Sequence, residues 1–348
     1  MHRPRLPLIP PHILKRYKVD DVGDTRFRAC ARLLQALWRE ERGLPIGVHQ
    51  PAQGQERALG SRLDAASARA GRNFLTHHIA KLARYESVYR EPGAFIDEDR
   101  LWHNMLSSQP LCFNLFGPMK LDDALSNRFW SKLFPARMAQ VEQVLFEHSP
   151  GRGSVVYTDD NTAFDVLVSG RDAKGQRSFI AIEMKYSESM QEPVAGQRAR
   201  YDELSEASAL FKDHRHAALR EAPLQQLWRE HLLCRAMLDQ GDYKEGMLLV
   251  VHPARNVDCA DSVSAYRSHL VKEHGAQPAF GVLTLEQCVQ ALEEVGEGIF
   301  AKMLHDRYLD FDRITRLIFE ELEAWPTGAG AQDPGHAEVS DNSDSAIG

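Results

Sequence analysis

The sequence predicts an α/β fold in which helices fill the first third of the chain. In the rest, three consecutive short apolar strands are followed by helices and two further strands. Helical spacing is clearest in residues 25–42, where apolar side chains recur every three to four positions and the pattern stops before Gly43. Strand patterns are clearest at 162–169 and 178–186, and GMLLVVHP at 246–253 is a further short apolar run of strand type.

The remaining elements are predicted from the same two patterns. Beyond an interval at 51–72 that is rich in Gly, Ala and Gln and is expected to be partly helical, helices are predicted at 73–90, 98–107, 121–134, 197–212, 223–239, 285–295 and 298–323. Two more strands are predicted at 140–148 and 280–285. The expected architecture is a sheet of about five strands flanked by helices, with a helical N-terminal region.

Composition narrows the class of protein. Of the 348 residues 43% are hydrophobic, which suits a globular chain with one large domain or two small ones. No run approaches the roughly 18 apolar residues of a membrane span, and the proline-rich start MHRPRLPLIPPH does not resemble a signal peptide. We therefore expect a cytoplasmic protein without membrane contact.

The cysteines and histidines do not indicate a metal cluster. Five cysteines lack paired CxxC spacing, so neither a zinc site nor a disulfide framework is predicted, and they are expected to be reduced core residues. The pairs His77 with His78 and His214 with His216 have no companion ligand at a recognised spacing and are expected on helix surfaces. The chain also has no GxxxxGK[ST] motif, so no nucleotide-driven motor is predicted.

The charge distribution is uneven. A net charge of −7 counts mildly against tight DNA binding, because proteins that depend on phosphate contacts are usually basic. Residues 327–348 hold four acidic and no basic side chains, whereas residues 1–18 hold five basic and no acidic ones. A bound cation also supplies charge that would otherwise come from Lys and Arg. The polar end of the chain, 326–348, is predicted to be a disordered acidic tail.

A charged pair ends one of the apolar strands, within TAFDVLVSGRDAKGQRSFIAIEMKY at 162–186. Side chains two positions apart on a strand share a face, so Glu183 and Lys185 point the same way. The opposite face is apolar and is formed by Ile180, Ile182, Met184 and Tyr186. Asp165 is the one charged residue on the preceding strand.

The two strands are predicted to pair as an antiparallel hairpin. The segment GRDAKGQR at 170–177 has the composition of a turn. If the turn is centred near Ala173, Asp165 lies roughly opposite residues 181–183. The carboxylates of Asp165 and Glu183 can then converge on one cation.

Two carboxylates and a lysine on one face suit metal-dependent cleavage of a phosphodiester bond. Mg²⁺ is usually held by one or two carboxylates plus substrate phosphate, which Asp165 and Glu183 can provide. The cation activates water and neutralises charge on the phosphoryl oxygens. Lys185 is the candidate to orient or deprotonate that water, or to hold the scissile phosphate. A structural ion pair between Glu183 and Lys185 is the alternative that the sequence leaves open.

These residues resemble the PD-(D/E)XK nuclease superfamily. Asp165 matches the aspartate of the motif, and Glu183 and Lys185 match its (D/E)XK half, while Phe164 stands in place of the proline. Three further stretches resemble a bacterial restriction-endonuclease-like family, namely SSQPLCFNLFGPM (107–119), FEHSPGR (146–152) and IEMKYSES (182–189). The resemblance covers roughly residues 70–320 and implies a restriction-endonuclease-like core with a mixed central sheet.

The resemblance also implies a domain organisation and an activity. We expect residues 1–70 to be a helical N-terminal extension, 71–325 a nuclease-like domain and 326–348 the tail. The implied function is a Mg²⁺- or Mn²⁺-dependent nuclease acting on DNA in restriction or defence, with RNA as a weaker alternative substrate. A homodimer is expected by analogy with restriction enzymes that cut both strands. The competing hypothesis is an inactive member that binds nucleic acid or a protein partner.

The resemblance suggests further site residues outside the motif. Superfamily members often carry an extra acidic residue on the first helix or first strand, which Glu147 fits by position and Glu86 fits less well. Gln226 lies on the helix after the third strand, where many members carry a glutamine or a basic residue near the phosphate. It can equally be a polar flank of that helix. Arg229 on the same helix is a candidate for a phosphate contact or an ordinary ion pair.

The stretch at 107–119 interleaves amide and hydroxyl side chains with apolar ones. We predict a buried structural turn in which Ser108, Gln109 and Asn114 hydrogen-bond to backbone around the site, because buried polar groups usually have structural partners. The sequence of this stretch therefore supports the fold prediction and does not add a catalytic residue.

Overall fold

The structure, a computed structural model, describes residues 5–50, 55–271 and 277–323. Its strands are β1 (Ile46–His49), β2 (Arg57–Leu63), β3 (Gln140–His148), β4 (Phe164–Arg171), β5 (Arg177–Met184), β6 (Glu245–His252) and β7 (Ala279–Thr284). The last five form one sheet in the order β3-β4-β5-β6-β7. Neighbours are antiparallel from β3 to β5 and parallel from β5 to β7. The predicted mixed sheet of about five strands is therefore confirmed.

Helices cover both faces of this sheet. In chain order they are α1 (Pro11–Arg16), α2 (Arg26–Glu41), α3 (Ala65–Arg69), α4 (His77–Val88), α5 (Glu98–Trp102), α6 (Ser108–Leu121), α7 (Asp123–Leu133), α8 (Ala199–Ser208), α9 (Gln225–Asp239), α10 (Val257–His269), α11 (Leu285–Glu294), α12 (Gly298–Tyr308) and α13 (Asp312–Glu323). A short 3₁₀ helix, Ala217–Arg220, precedes α9.

The period-two alternation of the central strands divides the core into two layers. On one face Val166, Val168, Ile180 and Ile182 join a large apolar cluster with helices α2, α6, α7 and α11 to α13. On the other face Leu167, Phe179 and Ala181 join a second cluster with α8 to α10. Because both faces are buried, the central strands are apolar on both sides, which makes a charged residue on them conspicuous.

The N-terminal region contains a β-hairpin as well as helices. Within the interval predicted to be partly helical, residues 57–63 form β2, which pairs with β1, and residues 65–69 form α3. The backbone of Gly60 receives a hydrogen bond from Arg39 on α2 and donates one to the carbonyl of Lys18. A Cβ at Gly60 would lie 2.0 Å from the oxygen of Tyr17. Packing against distant segments, which local periodicity does not show, therefore makes this stretch a strand.

The stretch at 107–119 forms a helix, and the prediction of a turn there was wrong. Ser107 caps α6 by accepting a hydrogen bond from the backbone of Gln109, and all residues from 108 to 117 are buried. A helix that is buried all round has no polar face and therefore no amphipathic period to detect. The amide of Asn114 does bond backbone, as expected, since it contacts the amide of Leu75 and the carbonyl of Asn73.

Two other helix predictions differ from the structure. The helix predicted at 298–323 is divided into α12 and α13, with Leu309 and Phe311 buried at the junction. Helix α10 was not predicted. It begins at Val257, and the side chain of the preceding Asn256 caps it by accepting a hydrogen bond from the backbone N–H of Cys259.

The N-terminal helices share the main core with the sheet. Gln35 on α2 donates hydrogen bonds to the hydroxyl of Tyr186, just beyond β5, and to the carbonyl of Arg307 on α12. The boundary at residue 70 thus separates segments that pack on one cluster, and it stays a prediction. The predicted tail at 326–348 lies outside the described residues.

The cysteines and histidines mostly lie where the sequence places them. All five cysteines are buried and free, as expected. His77 and His78 are exposed on α4, whereas His214 and His216 lie in a turn before the 3₁₀ helix and not on a helix surface. Within the described ranges, no helix is both long enough and apolar enough to cross a membrane.

Candidate active site

The predicted hairpin brings Asp165 and Glu183 together. The register pairs Val166 with Ile182, so the turn is centred on residue 174, one position beyond the prediction. Asp165 and Glu183 are the next residues outward on their strands, and their side chains lie on the same face of the sheet. The carboxylate of Asp165 accepts a hydrogen bond from the backbone of Met184 at 2.8 Å. The convergence expected from the sequence is present.

Glu183, Lys185 and Gln226 form a closed hydrogen-bonded triangle. The Nζ of Lys185 lies 3.0 Å from Oε1 of Glu183 and donates to Oε1 of Gln226 at 2.8 Å. The amide of Gln226 in turn donates to Oε1 of Glu183 at 2.7 Å. The side chains of Lys185 and Glu183 are only 7% and 5% exposed. Gln226 is therefore a direct partner of the motif residues and not merely a polar flank of α9.

Glu230 is a site residue that the sequence reasoning missed. It lies one turn after Gln226 on α9, is 1% exposed, and accepts a hydrogen bond from the Gln226 amide at 2.9 Å. Its other oxygen, Oε2, has no hydrogen-bond partner among the described residues. The available signal was an acidic residue four positions after Gln226, on the same face of α9.

Glu147 lies on β3 at the position that faces Asp165 on the neighbouring strand β4. The pairs Phe146 with Val166 and His148 with Phe164 flank it, and its own φ of 49° is left-handed. Its Oε1 accepts a long hydrogen bond, 3.4 Å, from the amide of Gln109 on α6. The positive φ turns this residue out of the regular ladder at the end of β3.

The alternative acid, Glu86, lies elsewhere. Its Oε1 is 2.7 Å from the Nζ of Lys120 on α6, and it is not among the side chains that line the cleft around Asp165 and Glu183. Glu86 therefore belongs to a separate ion pair.

Comparison with known protein families identifies the fold. A family model of the PD-(D/E)XK nuclease superfamily matches residues 22–310. The chain belongs to the PD-(D/E)XK nuclease superfamily. Comparisons with curated proteins and with solved structures give no match. The match begins within the N-terminal region and so includes α2 together with the sheet.

Burial and mutual repulsion control the charges in this PD-(D/E)XK site. Burial, then the negative charges of Glu183 and Glu147, raise the pKa of Asp165 well above its usual range. The pKa of Glu147 is raised to about 7, mainly by burial and secondarily by Glu183. Burial and the charge of Glu183 likewise raise the pKa of Glu230. Closely spaced buried acids of this kind favour either protons or a cation.

Lys185 keeps its charge in this setting. Burial acts to lower the pKa of Lys185, but Glu183, Glu192, Glu188 and Asp165 outweigh it and raise the pKa. A protonated ammonium donates hydrogen bonds and cannot accept a proton. The structure therefore favours Lys185 as the group that holds an oxygen of water or phosphate over Lys185 as a base.

The donor set fits a hard divalent cation. Asp165 and Glu183 offer carboxylate oxygens, and neither histidine nor cysteine contributes a ligand beside them, which suits Mg²⁺ or Mn²⁺ and not zinc. Within the described ranges, no group of three or more His, Cys, Asp or Glu side chains is arranged to hold a metal ion. The site thus has the one or two carboxylates that Mg²⁺ needs when water and substrate phosphate complete its shell.

The site lies in a cleft of about 990 Å³. Six basic side chains line it, Arg28, Arg100, Arg152, Lys185, Arg198 and Arg229, beside seven acidic ones. The lining is therefore close to neutral in formal charge, and one bound divalent cation would make it positive. The superfamily residues lie at its floor.

Proposed function

We propose that this protein is a metal-dependent nuclease that hydrolyses phosphodiester bonds in DNA. The observation that carries the proposal is the convergence of Asp165, Glu183 and Lys185 on one face of the hairpin, with 3.0 Å between Lys185 Nζ and Glu183 Oε1. Membership of a nuclease superfamily supports the same reaction class. Mg²⁺ or Mn²⁺ is the proposed cofactor.

Each residue then has a chemical task. Asp165 and Glu183 would hold the cation, with Glu147 as a further candidate ligand. When bound, the ion supplies an activated water and neutralises charge on the phosphoryl oxygens. Lys185, kept protonated by its acidic neighbours, donates to an oxygen of the scissile phosphate or of the attacking water. Gln226 positions both Glu183 and Lys185 because it bonds to each.

We also propose a biological role, a cellular location and an oligomeric state. A role in restriction or defence is supported by the resemblance of residues 107–119, 146–152 and 182–189 to restriction-endonuclease-like proteins. We propose a cytoplasmic protein and, by the same analogy, a homodimer, which sedimentation analysis would test. RNA is a secondary substrate candidate to be compared directly with DNA.

The competing proposal is an inactive member of the superfamily that binds nucleic acid or protein. The net charge of −7 and the hydrogen bonds that already engage Lys185 with Glu183 and Gln226 favour it. Titration of the protein with Mn²⁺ in a calorimeter separates the two hypotheses, because a pure scaffold needs no cation at Asp165 and Glu183. Stoichiometric binding that Asp165→Asn removes would support the nuclease.

The decisive experiment measures cleavage of plasmid and of single-stranded DNA in Mg²⁺ or Mn²⁺. Asp165→Ala and Lys185→Ala should each abolish cleavage. The matched control is Glu86→Gln, which breaks another acid–lysine pair, Glu86 with Lys120, outside the cleft. Cleavage that persists undiminished in the two site variants would rule out the assigned site.

A further inference from the structure

The reactive groups Glu183 and Lys185 are recessed from solvent within the cleft. Glu183 and Lys185 are almost fully buried, at 5% and 7% exposure, while the cleft as a whole holds about 990 Å³. A phosphate on a stiff duplex can reach such a floor only if the second strand also finds room. A single strand is flexible and presents one backbone at a time.

The wall beside the site is held in place at both ends. At one end Asn256 donates to the carbonyl of Glu188, whose carboxylate accepts from the backbone of Ser108. At the other end Ala195 exchanges two hydrogen bonds with the side chain of Gln225, at 2.9 and 2.7 Å. The segment between Glu188 and Ala195 is therefore anchored at both ends beside the site.

A guanidinium with unused donors faces this cleft. The nearest carboxylate to Arg229 is that of Asp160, at 4.0 Å, and the Nε of Arg229 has no hydrogen-bond partner among the described residues. Asp160 already accepts hydrogen bonds from Thr158, Thr162 and Tyr201. Asp160 is thus a distant and already occupied partner for Arg229, and a phosphate in the cleft would be a better one.

An aromatic ring lies at the rim of the same cleft. Phe95 lines it and is 70% exposed, so the face of its ring is accessible to a ligand in the cleft. Exposed aromatic rings beside basic grooves are the platforms on which unpaired bases stack. A base within a duplex is already stacked and paired, so its faces are not available to Phe95.

We infer that the cleft binds single-stranded DNA, with a backbone phosphate on Arg229 and a base stacked on Phe95. Cleavage of that strand rests on the proposed function, whereas binding does not. The inferred substrate class is a single strand, a frayed end or a flap, bound in preference to intact duplex.

The test measures binding by fluorescence anisotropy of a labelled 20-nucleotide strand, alone and annealed to its complement, with Ca²⁺ in place of Mg²⁺ to limit cleavage. The single strand should bind at least tenfold more tightly than the duplex. Phe95→Ala should weaken single-strand binding by roughly 5- to 100-fold. Phe95→Tyr should retain it, and Arg229→Ala should reduce both affinity and salt dependence.

The matched control is Phe319→Ala, which removes another exposed phenylalanine, 59% exposed on α13 and outside the cleft, and should leave binding unchanged. Equal affinity for duplex, or unchanged affinity of a folded Phe95→Ala protein, would overturn the inference. Tight single-strand binding without cleavage in Mg²⁺ or Mn²⁺ would instead overturn the proposed nuclease and leave this inference standing. Equal cleavage of single-stranded and duplex DNA would overturn this inference and leave the proposed nuclease standing.

Discussion

Lys185 and Gln226 lie 41 positions apart in the chain, yet the Nζ of one donates to the Oε1 of the other at 2.8 Å, and both contact Glu183. The strand end thus supplies the ion pair, and helix α9 fixes its geometry. The distances among these three side chains lead to predictions about charge, protonation and stability.

Replacing Lys185 with Met should reduce DNA cleavage by about 100-fold or more, because a preorganised donor near the phosphate is lost. The same change leaves Glu183 without its cationic partner in a buried site, so the metal-free protein should melt at a lower temperature. Thermal melts with and without Mn²⁺, alongside single-turnover rates, provide the measurement. The Glu86→Gln protein serves as control, and an unaltered cleavage rate in Lys185→Met would contradict the role of the lysine.

Glu230→Gln should leave both cleavage and stability nearly unchanged. Because burial and Glu183 raise its pKa, the neutral form of the side chain is favoured, and Glu230→Gln keeps the shape of that form. We expect cleavage within a few-fold of wild type and a change in unfolding free energy below about 1 kcal/mol. Glu230→Ala should be worse, since it removes the acceptor for Gln226 and leaves a cavity. If Glu230→Gln abolished cleavage, an ionised Glu230 would be required.

Metal affinity should depend on pH in a direction set by the buried acids. The pKa of Glu147 is raised to about 7 and that of Asp165 is raised as well, so a cation competes with protons for these carboxyl groups. Mn²⁺ affinity should therefore increase from pH 6 to pH 8, with proton release. Glu147→Gln should flatten part of this dependence if Glu147 is a ligand. Calorimetry in buffers of different ionisation enthalpy measures the released protons, and identical proton release in Glu147→Gln would remove Glu147 from the ligand set.

Buried His231 should make the protein acid-sensitive. Its Nε2 faces the carbonyl of Pro278 and its Nδ1 faces the hydroxyl of Tyr266, so the neutral ring donates through Nε2 and accepts through Nδ1. Burial lowers the pKa of His231 from 6.5 to about 4.

The sign of the effect follows from that direction. Below pH 6.5 the unfolded chain binds a proton that the folded chain resists, so stability is full above 6.5 and is lost as the pH falls towards 4. Between pH 7 and pH 5 this costs about 2 kcal/mol, at roughly 1.4 kcal/mol per pH unit. Urea unfolding of wild type and His231→Gln at both values isolates the contribution. Parallel pH dependence in the two proteins would show that His231 titrates normally.

Part of the site follows from the sequence because it depends on local geometry. Strand alternation places Glu183 and Lys185 on one face, and a short polar turn sets Asp165 beside them. Both relations need only the period of a strand and the length of a turn. The one-residue error in the turn centre did not matter, since it left the two carboxylates on adjacent positions.

Other features depend on contacts between distant segments. Helix α6 is buried all round and so lacks an amphipathic pattern, while β2 becomes a strand because Arg39 and Lys18 bind its backbone. Gln226 and Glu230 acquire meaning only when α9 packs on the sheet beside Glu183.

The sequence by itself therefore determined the strands and the Asp165, Glu183 and Lys185 constellation, because strand periodicity depends only on neighbouring residues. The mixed arrangement of the sheet was predicted from the family resemblance. Tertiary structure alone decided the protonation of the buried acids, the free donors of Arg229 and the exposure of Phe95. These properties depend on which groups from remote segments exclude water or supply charge, and burial in three dimensions sets both.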